Sequence, residues 1–175
     1  MKKKVKTIKK AAKESRVCND NSALKVKIIA KGAELPSYNY PSDVGFDLRA
    51  NEDVSIFPGA QQRVRTGLVF EIPEGHVGII RDRAGIVEKM GVHSVAGTFD
   101  PGFRGEISIM MVNTSDETAA IEKGMRIAQM ITIPVTKPKI IRVDKLSNTE
   151  RGEKSFGSTG LKDLIKLDKD IKKKK

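Results

Sequence analysis

The chain has 175 residues, 38% hydrophobic and 5% aromatic, and a formal charge of +11. That length suffices for one domain with its own core, and no apolar run approaches the ~18 to 20 residues of a membrane helix. The single cysteine, Cys18, excludes an internal disulfide and fits a reducing compartment, and with only His76 and His93 beside it a Cys/His zinc cage is excluded too.

The first segment, residues 1–23, carries eight Lys/Arg against Glu14 and Asp20. It has no apolar stretch after its basic start, so it is not a secretory signal. The last segment, residues 161–175, carries seven Lys against Asp163, Asp168 and Asp170, whereas residues 24–160 hold 18 basic and 17 acidic residues. The basicity therefore belongs to two tails, read as solvated polyelectrolyte, the alternative being a loose attraction of these tails to nucleic acid, a membrane surface or a targeting receptor.

Between the tails, short β-branched runs separated by Gly and Pro predict strands at 24–30, 53–57, 63–72, 76–82, 93–95, 105–112, 118–121, 126–134 and 140–143. Val64, Thr66, Leu68 and Phe70 share one face, as do Ile107, Ile109 and Met111, which is the period of a strand with one buried side. Strands this short and numerous predict an all-β fold, a jelly-roll-like sandwich or barrel. One helix is predicted over 84–90, closed by Gly91. Leu161, Leu164, Ile165 and Leu167 predict a short terminal helix. The organisation expected is a basic tail (1–23), a β domain (24–145), an arm (146–160) and a second basic tail (161–175).

Four stretches carry chemistry. Ser42-Asp-Val-Gly-Phe-Asp-Leu sets two carboxylates beside a glycine, and Arg81-Asp-Arg-Ala-Gly puts two guanidiniums ahead of a helix. Gly97-Thr-Phe-Asp-Pro-Gly-Phe-Arg-Gly is a glycine-rich hairpin with Asp100 at its bend. Arg151-Gly-Glu-Lys-Ser-Phe-Gly-Ser-Thr-Gly is an arm with an arginine, an aromatic and hydroxyls. Backbone amides and Arg forks hold phosphate, and an aromatic stacks on a base. Singly, each has a bland alternative: Asp-Pro-Gly makes turns and Gly-Ser-Thr-Gly makes linkers.

In this order the stretches resemble the trimeric dUTPase family over about residues 24–160. Leu35-Pro-Ser-Tyr with Ser42 to Ala50 is similar to its first motif, Arg83-Ala-Gly to the second and Gly97 to Gly105 to the third; Gly124-Met-Arg-Ile-Ala-Gln is similar to the fourth and Arg151 to Gly160 to the fifth. The resemblance implies hydrolysis of dUTP to dUMP and pyrophosphate by water attack on the α-phosphorus, with Mg2+. It makes Asp100 the general base, and Phe103 the ring under the deoxyribose. Gly97 and Thr98 belong to the hairpin that reads uracil, Arg83 and Gln129 hold the phosphates, and Ala84 and Gly85 are counted with them among the substrate-binding residues. Asp47 touches the metal through water, as a hard hydrated cation prefers. Arg151, Phe156, Gly157, Ser158 and Thr159 close over a neighbour's site in a homotrimer that exchanges its arms. A cytoplasmic location is expected, or a nuclear one in a eukaryote.

The chain departs from the family pattern in three places. Ala84 replaces the second motif's usual serine; one lost charge-assisted contact is worth on the order of 1.5 to 3 kcal/mol, roughly 10 to 150-fold in rate if felt only in the transition state. Phe103 replaces a tyrosine but keeps the ring, and Met125 replaces a common aspartate. Three rival readings stay open. A dCTP deaminase shares the fold, but Met110 and Glu88 stand where that family carries a catalytic glutamate and a second arginine. A nucleotide-binding regulator is raised by Ala84, and nucleic-acid binding by the tails. Glu106 is expected as an exposed strand charge, and Asp82, beside Arg81 and Arg83, as a residue that pairs locally or fixes the turn.

Overall fold

The computed structural model describes residues 23–155. The chain divides into two compact units between Lys137 and Pro138. The first is built of β1 (Lys25–Ile28), β2 (Gly45–Arg49), β3 (Val54–Ile56), β4 (Gln61–Glu71), β5 (His76–Asp82), α1 (Ala84–Met90), β6 (Val92–Ser94), β7 (Thr98–Phe99), β8 (Glu106–Asn113), β9 (Ala119–Ile121) and β10 (Arg126–Pro134). One four-stranded sheet runs β1-β4-β8-β6, a second runs β2-β10-β5-β7, and β3 pairs with β9. Every pairing is antiparallel, as the all-β expectation requires.

Burial follows the alternation. On β8, Ile107, Ile109, Met111 and Asn113 are buried while the residues between them are not. On β4, Val64, Thr66, Leu68 and Phe70 are all buried, although the strand bulges between Arg65 and Val69. These side chains meet Phe46, Leu48, Ile80, Ala128 and Met130 of the second sheet in one apolar core. Phe46 and Phe70 join the two sheets edge to face, 5.9 Å between ring centroids. Glu106 is not the exposed charge expected: its side chain is only 15% exposed, and its oxygens take the Gly67 amide and the Arg65 guanidinium where β4 bulges.

Two strands, β2 and β7, are additions to the expected set. The helix stands where predicted, with Gly91 left-handed at its C-cap (φ 62°, ψ 27°). The strand expected at 140–143 is absent. In the second unit the described residues, 138–155, form no strand or helix, and Ile140 and Ile141 are 94% and 66% exposed. Their β-branched pattern has no ladder to join, and a lone strand leaves its backbone groups unpaired. The two basic tails and the predicted terminal helix lie outside the described residues. Among the described residues no helix is long and apolar enough to cross a membrane.

Candidate active site

The second sheet brings distant residues into one row. Asp47 of β2 lies opposite Gln129 of β10, which lies opposite Arg81 of β5. Strand alternation turns Phe46, Leu48, Ala128 and Met130 into the core, and sends Asp47 and Gln129 to the outer face. The segment before β2 flanks that face, held by the Asp47 amide donating to the Ser37 carbonyl at 3.2 Å. The result is a cleft of about 600 Å³, lined among others by Asn39, Asp47, Arg83, Gly85, Arg126 and Gln129.

Asp47 is the hub of this cleft. Its side chain is 8% exposed, and its Oδ1 receives Arg83 Nε at 2.8 Å. Its Oδ2 receives Asn39 Nδ2 at 2.7 Å and Arg126 Nε at 3.3 Å. A carboxylate this buried needs paired charges and donors, and here it has both. Arg83 is also the N-cap residue of α1, extended at φ −95°, ψ 125° and without a side-chain cap bond. The amides of Ala84 and Gly85 follow at the exposed start of the helix, where N–H groups have no acceptor within the helix. Both residues line the cleft.

Gln129 reaches across the sheet. Its Nε2 donates to the Asp82 carbonyl at 2.9 Å, and its Oε1 lies where a Cβ on Gly45 would come within 2.6 Å. Gly45 is thus the space that lets the amide lie flat over β2. The Asp82 side chain does not turn to its flanking arginines. It accepts from the Ser94 amide at 2.6 Å, from the Ser94 hydroxyl and from His93 Nδ1 at 3.0 Å, tying β6 to the end of β5. Burial pushes the Asp82 carboxyl up, but the Ser94 and His93 bonds outweigh it and hold the group below the ordinary carboxylate range.

The hairpin stands elsewhere. Its β7 pairs Phe99 with Gly78 of β5, which is five residues from Arg83, or about 16 Å along the strand. Asp100 is exposed at the bend, its carbonyl accepting from the Phe103 amide at 3.1 Å. Phe103 is 42% exposed and its ring packs on Phe99, centroids 5.7 Å apart. Gly97 (φ +151°) passes so close to β5 that a Cβ there would lie 2.6 Å from Ile80 Cβ. Asp100, Thr98 and Phe103 do not line the cleft that holds Arg83 and Gln129.

In the second unit, Arg151 sits in a turn in which the Lys154 amide donates to its carbonyl and its own Nε donates to the Lys154 carbonyl. Phe156, Gly157, Ser158 and Thr159 lie outside the described residues. Of the residues expected in the site, Asp47, Arg83, Ala84, Gly85 and Gln129 come together in one cleft, while Gly97, Thr98, Asp100 and Phe103 form a separate hairpin. Asn39, Gly45 and Arg126 were missed. The first two show only as partners of Asp47 and Gln129, and Arg126 sits three residues from Gln129, a spacing that in a plain strand puts two side chains on opposite faces.

Comparison with known proteins fits this arrangement. The chain matches the dUTPase family model over residues 31–160. It is 42% identical over 139 residues to the deoxyuridine 5'-triphosphate nucleotidohydrolase of Clostridium tetani, covering 78% of this chain and 96% of that one. It is 45% identical over 137 residues to the protein of the same name from Sinorhizobium medicae, covering 75% and 86%. Among solved structures, a mutant of the Staphylococcus bacteriophage 80alpha dUTPase with dUpNHpp superposes with a TM-score of 0.75 at 31% identity, covering 79% of this chain and 99% of that one.

Proposed function

The chain belongs to the dUTPase family, and from that premise we propose that it hydrolyses dUTP to dUMP and pyrophosphate, with Asp100 as general base. The observation that carries the reading is the meeting of Asp47, Arg83 and Gln129, from three remote segments, in one cleft beside the open amides of α1. Arginine forks and unbonded amides suit a chain of phosphates. Asp100, exposed and on a turn, is free to hold a water and accept its proton. The water oxygen bonds to the α-phosphorus as the bond to the bridging oxygen of the β-phosphate breaks, and pyrophosphate leaves with that electron pair. Phe103, braced by Phe99, supplies the ring under the sugar, and the hairpin from Gly97 and Thr98 reads the uracil.

The donor set suits a magnesium ion carried in by the triphosphate. Among the described residues no cluster of three or more His, Cys, Asp or Glu side chains could cage a metal. Asp47 already accepts three protein donors, which leaves its carboxylate room for one water. A bound ion would neutralise charge on the phosphates; Asp47 would hold it through water, while Arg83 and Gln129 fix the phosphate oxygens.

The active form proposed is a homotrimer whose sites form between chains. Supporting it, the cleft and the Asp100 hairpin lie about 16 Å apart along β5, a separation that suits a neighbour's hairpin facing the cleft. The exposed Ile140, Ile141, Val143 and Leu146 also suit an arm that packs on another chain. In this reading Arg151 and residues 156–159 then close over that neighbour's site, where closure expels water. Any contact with nucleic acid is weak and comes from the tails.

Pyrophosphate release from dUTP, dCTP, dTTP and UTP, with and without EDTA, tests the proposal. Release is expected from dUTP alone, with EDTA suppressing it, and Asp100→Asn is expected to abolish it while leaving dUpNHpp binding intact. Intact dUTP, or undiminished release by the Asp100→Asn protein, refutes the reading.

A further inference from the structure

We propose that Arg126 is a second guanidinium for the two outer phosphates, aimed into the cleft by a β-bulge and held there by Asp47; this rests on the reading of the cleft as a dUTP site. In a regular strand Arg126 and Gln129 face opposite sides. In β10 the register slips: Arg126 lies opposite Arg49 and Ala128 opposite Leu48, so Ile127 is the extra residue. Ile127 and Ala128, neighbours in sequence, are both buried, at 1% and 0% exposure. The slip turns Arg126 outward, and it lines the same cleft as Gln129. Bulges beside active sites commonly re-aim a side chain in this way.

The bonding of Arg126 points the same way. Its protein contact is Nε to Asp47 Oδ2 at 3.3 Å, and neither Nη has a protein partner among the described residues. Arg83 is held alike, through Nε. One buried carboxylate therefore grips the inner edges of two guanidiniums, with the outer Nη groups left for other acceptors, and the Arg126 side chain is 43% exposed. Asp43, which also lines the cleft, receives the Tyr40 amide at 2.9 Å and does not pair with Arg126. Because the α-phosphorus must face a neighbour's Asp100, the cations of this cleft are left for the β- and γ-phosphates. A fork that meets two oxygens at once is the geometry in which arginine outperforms lysine.

The test is calorimetric binding of dUpNHpp and of dUMP to the full chain. Arg126→Gln is expected to weaken dUpNHpp binding about 10 to 100-fold while dUMP, which lacks the outer phosphates, binds as before. Arg126→Lys keeps the charge beside Asp47 and covers the case in which the glutamine variant fails to fold. It is expected to lose affinity for dUpNHpp by several-fold at an unchanged Tm. Unchanged dUpNHpp affinity in either folded variant, or an equal loss for dUMP, overturns the proposal and leaves Arg126 as a counter-ion only. Because binding is read without turnover, a wild-type chain that binds dUpNHpp but leaves dUTP intact sinks the hydrolytic reading, while the variant affinities still decide the role of Arg126.

Discussion

Gly45→Ala separates the site from the scaffold. The new Cβ would fall 2.6 Å from Gln129 Oε1, whereas ordinary contact begins at 3.4 Å, so the amide must retreat by about 0.8 Å. Because the obstructed atom ends a flexible side chain, the backbone need not move. The move endangers the Gln129–Asp82 hydrogen bond, worth about 0.5–1.5 kcal/mol, and Tm is expected to fall by no more than about 5 °C. Activity suffers more, since a misplacement near 1 Å in a positioning group removes roughly 10 to 100-fold of rate. The assay is kcat/KM for pyrophosphate release beside thermal unfolding, in the wild-type and Gln129→Ala backgrounds. In Gln129→Ala the methyl meets only the remaining Cβ, at an ordinary 3.6 Å, so the glycine substitution is expected to have no further effect there. Wild-type activity in Gly45→Ala, or an equal loss in both backgrounds, defeats the reasoning.

Three further perturbations follow from the geometry. Ala84→Ser is expected to raise kcat, by up to roughly 10 to 150-fold if the hydroxyl acts only in the transition state; an unchanged kcat means that the Ala84 and Gly85 amides already supply that contact. Gly97→Ala drives a methyl into Ile80 at a backbone angle side chains avoid, and is expected to destabilise by about 2–4 kcal/mol, a Tm loss of about 5–15 °C; a Tm within about 2 °C of wild type contradicts the close approach. Asp82 is held ionised below its usual range, so the folded state binds that proton less readily than the unfolded one. Its contribution is present at neutral pH and fades as the medium falls below about pH 4. The stability gap between wild type and Asp82→Asn is expected to narrow on acidification, and a gap that widens refutes the assignment.

What the sequence made legible was the ladder and the chemistry; what it hid was register. Strands with one wet face, such as β8, announce themselves by alternation. β2 does not, because Gly45, Phe46, Asp47 and Leu48 are all buried, two toward the core and two beneath the cleft, so apolar and polar residues lose their outside–inside meaning. β7 is two residues long, too short to show a period. Residues 140–143 have the pattern of a strand without a partner in their own unit, and pairing, not composition, decides. The bulge at Ile127 is equally silent, since nothing in Arg126-Ile-Ala-Gln129 marks the extra residue. Chemistry fared better for the cleft, where charged side chains are named by type, than for Gly45, whose contribution is the atom it lacks.

The distance between cleft and hairpin on β5 also has a genetic consequence. A chain damaged at Arg83 still offers a sound hairpin, and one damaged at Asp100 still offers a sound cleft. With sites formed between chains, as proposed, two dead variants co-assembled from equal parts would restore about a quarter of the interfaces by random mixing. On that proposal, a diploid or co-infected cell carrying both lesions would keep activity that neither allele encodes alone.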